Sequence, residues 1–117
     1  FLQLLRKSSG PARMYKVQIA SAVGDDLLDG FAFYELREAG VGDYFLQSLA
    51  SDIESLGLFA GIHPKSYWGL YRTSSKRFPF SIYYQFDGVT AIVAAVVDAR
   101  RNPRTIQKVL SGRSGKS

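Results

Sequence analysis

The residues best equipped for chemistry are cationic and crowd the second half of the chain: Arg72, Lys76 and Arg77, then Arg100, Arg101 and Arg104. A guanidinium is a planar, permanently charged fork that meets phosphate or carboxylate through two parallel hydrogen bonds. Tyr67, Trp68, Tyr71, Tyr83 and Tyr84 lie among these cations, and their rings could stack on bases. Period-2 alternation sends Tyr83 and Tyr84 to opposite faces of a strand, so at least one belongs to the core. The charge is unevenly placed. Residues 1–64 hold 5 Lys/Arg and 8 Asp/Glu, net −3, whereas residues 65–117 hold 10 and 2, net +8. That asymmetry points to an anionic partner for the second half, a nucleic acid or an acidic protein segment.

Other chemistries lack their residues. The sequence has no Gly-rich phosphate loop, no dinucleotide fingerprint and no His-Glu-x-x-His. His63 is the single histidine and stands beside Pro64 in a loop-like stretch, without the partners of a nucleophilic triad. With no cysteine there is no disulfide and no thiolate metal site, and the acids fall mostly on helix surfaces. No cofactor or metal is expected. An RNase without histidine would need a cation to hold the scissile phosphate and a Lys or Tyr to move the proton.

The elements that position these residues follow from periodicity. Residues 1–13 read as a leader or linker outside the domain, because Lys7-Ser8-Ser9-Gly10-Pro11 breaks any pattern and Met14 opens a new one. The domain then runs over 14–111, and 112–117 form a flexible basic tail. Tyr15–Ala20 alternates as a half-buried strand. Ser21 is placed to cap a helix ending near Gly40. Asp43 is placed to cap a second, whose stripe of Phe45, Leu46, Leu49, Ile53 and Leu56 stops at Gly57. Gly57–Lys65 reads as a loop. Strands follow at Tyr67–Thr73, Phe80–Phe86 and Val89–Val97, the last two joined by Asp87-Gly88, a strong hairpin signal. Asn102-Pro103 opens a last helix through Leu110. The expected fold is α+β, order β-α-α-β-β-β-α, with a helical hairpin on a mostly antiparallel four-stranded sheet. If the second and fourth strands flank the third, the two arginine clusters border one surface.

In that setting the stretch Lys76-Arg77-Phe78-Pro79-Phe80-Ser81-Ile82-Tyr83-Tyr84, followed by Asp87-Gly88, the apolar run Ala91–Val97 and Asp98-Ala99-Arg100-Arg101-Asn102-Pro103-Arg104, resembles the RelE/ParE toxin superfamily. The ParE-like, plasmid-stabilisation branch is the nearest, and the resemblance covers about Tyr15 to Leu110. It implies the toxin of a bacterial type II toxin–antitoxin system, bound by a cognate antitoxin in a hetero-oligomer. Separately, no secretion signal is visible and the longest apolar run, Ala91–Val97, is far short of the ~20 residues that span a bilayer, so the chain is expected to be cytoplasmic and without a membrane partner. RelE-like members are ribosome-dependent messenger-RNA endonucleases; ParE-like members poison DNA gyrase. The nucleases usually carry Arg where Ser81 stands and often Tyr where Ile106 stands, and only Arg100 falls at a position they keep basic. That departure favours a gyrase inhibitor over an enzyme. The alternatives are a RelE-like endonuclease acting on ribosome-bound mRNA and a non-toxic nucleic-acid-binding module. The expected contact residues are Arg72, Lys76, Arg77, Arg100, Arg101 and Arg104.

Overall fold

The computed structural model describes residues 14–113. Chain order is β1 (Lys16–Ile19), α1 (Ser21–Arg37), α2 (Val41–Glu54), α3 (Leu56–Phe59), β2 (Tyr71–Ser74), β3 (Phe80–Phe86), β4 (Thr90–Asp98) and α4 (Pro103–Ser111), with a 3-10 turn at Tyr67–Gly69. The expected order is present, with one short helix added where a loop was expected. The strands form one sheet in the order β1-β4-β3-β2. β2–β3 and β3–β4 are antiparallel, and β1–β4 is parallel.

Local chemistry explains most boundaries. At the β3–β4 hairpin, Asp87 Oδ1 accepts the backbone N–H of Val89 and Thr90 at 2.9 and 2.8 Å, and Gly88 takes φ 96°. Asn102 caps α4 by accepting the Arg104 N–H at 2.8 Å, with Pro103 at the first position. Two expected caps differ. Ser21 is the first residue of α1 rather than its cap, which is Ala20. The start of α2 is held by Glu35, not Asp43: the Glu35 carboxylate accepts the N–H of Gly40 and of Gly42. Gly40 adopts φ 93°, which lets the chain reverse between α1 and α2. α2 ends at Glu54, and Gly57 lies within α3, where its carbonyl accepts from Met14 and Tyr15 at 3.0 Å each.

The expected strand at Tyr67–Thr73 also shifts. Tyr67–Gly69 turns, because Trp68 and Gly69 take φ 61° and 72°, and the strand forms only at Tyr71–Ser74. Aromatic β-propensity yields here to backbone geometry.

The sheet is covered on both faces. The α1–α2 hairpin buries Val23, Leu27, Phe45, Leu49 and Ile53 against Phe80, Ile82, Tyr84, Ala91, Val93 and Val96. On the opposite face, α4 buries Ile106 and Leu110 against Leu70, Tyr83, Ala94, Ala95 and Val97. The register of β3 against β4 slips between Tyr83↔Ala95 and Tyr84↔Val93, so Ala94 is an extra residue, a β-bulge. The bulge puts two consecutive residues, Ala94 and Ala95, on the α4 face. Burial on both faces explains why β4 reads as an unbroken apolar run rather than an alternating one.

Candidate functional site

On the α4 face, register decides which polar side chains meet. Arg72 of β2 pairs with Tyr83, and Ser74 with Ser81. Arg72 Nε donates to Ser81 Oγ at 3.3 Å across the two strands. After β4 the chain bends at Asp98–Arg101, where the Ala99 N–H reaches the Pro79 carbonyl at 2.8 Å. This bend delivers Arg101 to the same surface just before α4 begins. Arg72 and Arg101 thereby line one concavity of about 310 Å³, together with Ser66, Tyr67 and Ser81, over a floor that includes Tyr83 and Ile106. Neither arginine forms an ion pair with an acid among the described residues.

The remaining sequence candidates are not gathered there. Arg100 lies against Asp98, with Nε and Nη2 donating to its two carboxylate oxygens at 3.0 and 2.8 Å. The Arg100 hydrogen bond holds the Asp98 carboxyl below its ordinary range, and the same bond raises the guanidinium. Lys76 borders a separate concavity of about 260 Å³ with Asp52 and His63. Its backbone N–H and the Ser75 hydroxyl both donate to Asp52 Oδ2, at 3.3 and 2.6 Å, so Asp52 organises the β2–β3 connection. Arg77 and Arg104 are exposed. The two arginine clusters therefore contribute one member each, Arg72 and Arg101, to a common surface.

The aromatic candidates divide in the same way. Tyr83 and Tyr84 are both buried, on opposite faces. Tyr71 stacks on Tyr84 with centroids 5.3 Å apart. Only Tyr67 and Trp68 remain open to a ligand, at 39% and 51% exposure.

His63 has a structural role. Tyr84 Oη accepts the Gly61 N–H at 2.9 Å and lies 2.5 Å from His63 Nδ1. The hydroxyl keeps its proton and a second lone pair for this bond, so it donates to Nδ1 or accepts from it according to the imidazole tautomer. Burial lowers the His63 pKa and raises that of Tyr84, consistent with this arrangement. The single histidine thus fastens the 61–63 loop to the sheet.

Sequence reasoning missed the pair that closes the other end of this face. Asp26 of α1 and Arg113, two residues past α4, form a bidentate ion pair, and both also bond to the Ala94 bulge region of β4. Arg113 falls in the stretch read from sequence as a tail. No local pattern joins two residues so far apart in the chain.

The concavity is thus lined by guanidinium, hydroxyl, aromatic and apolar groups, with neither carboxylate nor imidazole among its described lining. It is equipped to hold an anion. Among the described residues no cluster of three or more His, Asp or Glu could hold a metal ion, and no helix is long and apolar enough to cross a membrane.

No family model and no curated protein matches the chain. Its structure is similar to a solved structure described as a chromosomal ParDE TA system from P. aeruginosa, with a TM-score of 0.68 and 15% identity over 74% of this chain and 98% of that one. At that identity the likeness is one of fold, and the fold is the RelE/ParE-like α+β architecture expected from the sequence.

Proposed function

We propose that this chain is the toxin of a type II toxin–antitoxin pair, acting in the ParE manner on DNA gyrase and neutralised by a cognate antitoxin. The fold supports the first half of that reading, since the similar solved structure is a ParDE toxin–antitoxin system. The choice of target rests on one observation about the sheet. Where RelE-like nucleases carry an arginine, Ser81 stands, and its hydroxyl accepts from Arg72 instead of holding a phosphate. Where they often carry a tyrosine, Ile106 is packed into the floor at 8% exposure. The concavity keeps cationic charge but has no tyrosine at the Ile106 position, where those nucleases often carry one.

The antitoxin would cover apolar surface that the fold leaves open. On α1, Leu28, Phe33 and Leu36 are exposed, Leu36 at 88%; beside β2, Phe59 and Ile62 are exposed as well. An amphipathic segment with acidic residues would bury these side chains and meet the basic second half of the chain. Purified protein added to a DNA gyrase supercoiling reaction tests the target. Inhibition that is relieved by the antitoxin supports the reading. Unimpaired supercoiling, together with cleavage of ribosome-bound messages, replaces it with the nuclease reading.

A further inference from the structure

We infer that the outer face of α1 is a self-association surface, on which two copies of this chain pair through antiparallel α1 helices about a two-fold axis at Phe33. One side of α1 buries Val23, Leu27 and Gly30. The other carries an exposed stripe of Leu28, Asp29, Ala32, Phe33, Leu36 and Arg37. Leu36 is 88% exposed and Leu28 60%, on the side of the helix that polar residues ordinarily occupy.

The charges on this stripe are ordered. Asp29, Phe33 and Arg37 stand four residues apart and so lie in one row along the helix. The Arg37 guanidinium sits over the Phe33 ring, 4.2 Å from its centroid. Neither Asp29 nor Arg37 forms an ion pair among the described residues. The row reads acid, ring, base, and is complementary to its own reverse. A two-fold axis at Phe33 sets Asp29 level with Arg37 of the second copy, twice over, and sets the two rings level with each other. The same axis keeps like flanks of the two helices on one side, so the two rows run next to each other.

The neighbouring apolar row fits the same register. Leu28, Ala32 and Leu36 are also four residues apart. Leu36 falls level with position 30 of the second copy, about 3 Å along the axis from both Leu28 and Ala32 of that copy. It can therefore enter the space between them, as knobs enter holes in paired helices, and the small Ala32 side chain lets the axes approach. One register serves both rows.

A partner of different sequence has no need of this reversal symmetry, which favours a second copy. A parallel pair would set Asp29 on Asp29 and Arg37 on Arg37, which favours the antiparallel one. A single pair of helix faces sits at or below the roughly 1,200 Å² low end of specific interfaces, so the dimer should be weak, with a dissociation constant of about 1–100 µM. Pairing requires neither gyrase nor an antitoxin, and an antitoxin that covers α1 would displace the second copy.

Sedimentation equilibrium of the full chain, from about 1 to 300 µM, tests the pairing. A reversible monomer–dimer equilibrium is expected. Leu36→Glu should abolish the dimer over that range. Asp29→Arg and Arg37→Glu each set like charges against one another twice per dimer, and each should weaken it about tenfold or more. The two substitutions together restore opposite charges and should recover most of the loss. Ile62→Glu, at an open apolar residue away from α1, should leave the dimer unchanged. All these positions are exposed, and thermal melts check that each variant keeps its fold. A monomer across the whole range would overturn the inference and leave the face to a partner of another sequence. Association that survives Leu36→Glu, or that the Asp29/Arg37 exchange does not recover, would overturn it as well.

Discussion

Arg113 and Asp26 lie 87 residues apart in sequence and meet through two hydrogen bonds of 2.8 Å each, Nη1 to Oδ2 and Nη2 to Oδ1. The pair closes over the β-bulge in β4. Asp26 Oδ2 accepts the Val96 N–H at 3.0 Å, and Arg113 Nη1 donates to the Ala94 carbonyl at 3.1 Å. A bulge leaves ladder groups without strand partners, and buried backbone polar groups are costly when unpaired. Here one ion pair satisfies the carbonyl of the bulge residue Ala94 and the N–H of Val96, which lies beyond the last residue of β4 paired with β1, and it ties the end of α4 to α1.

Removing Asp26 therefore costs more than removing an exposed ion-pair partner. Asp26→Ala strands both the Val96 N–H and the Arg113 guanidinium, and should destabilise the fold by about 2–3 kcal/mol. Arg113→Ala leaves Asp26 with its backbone bond and should cost about 1–2 kcal/mol. Urea denaturation of both singles and the double is expected to give a coupling energy above about 0.5 kcal/mol, the range for residues in one network.

Stability should fall on mild acidification through His63. Its pKa in the folded state lies below the ordinary 6.5 because burial disfavours the cation. The folded chain therefore binds fewer protons than the unfolded chain in that window. The contribution is complete above about pH 6.5 and is lost as pH falls through the lowered value. His63→Gln should remove this part of the pH dependence in thermal melts between pH 7 and pH 5. Tyr84→Phe, which leaves the Gly61 N–H without its partner, should cost about 1–2 kcal/mol throughout that range.

Helix packing sets a third expectation. A Cβ at Gly30 of α1 would collide with the ring of Phe45, which is fully buried between the hairpin and the sheet. Gly30→Ala should lose stability by about 1–3 kcal/mol as the ring is displaced, despite alanine's better helix propensity. Gly24→Ala is the control: nothing lies within 4 Å of the added Cβ, and stability should be unchanged or improved.

Much of the fold was legible because its signals are local. Asp87-Gly88 and Asn102-Pro103 each fix a turn or a cap through neighbouring atoms, and both do so in the structure. The stripe of Phe45, Leu49 and Ile53 faces the core as periodicity required. What escaped depends on contacts across the chain. Glu35 displaced Asp43 as the cap of α2 because it reaches over the Gly40 joint from the preceding helix. The strand expected at Tyr67 failed because two left-handed residues turn the backbone there, a conformation that no propensity assigns to tryptophan. The site was half legible. Composition marked the arginines, but only the register of β2 on β3 and the bend after Asp98 show that Arg72 and Arg101 share a surface while Arg100 is held by Asp98.

A toxin that acts on gyrase, as proposed, stops DNA synthesis before it stops protein synthesis. The most direct test is tightly controlled expression of residues 14–117 in bacteria, following labelled thymidine and labelled leucine over the first minutes. Thymidine incorporation is expected to fall first, with growth restored by the cognate antitoxin. Leucine incorporation falling first, while thymidine continues, would contradict it and place the activity on the ribosome. Unchanged incorporation of both, in cells that keep growing, would contradict the toxin assignment itself.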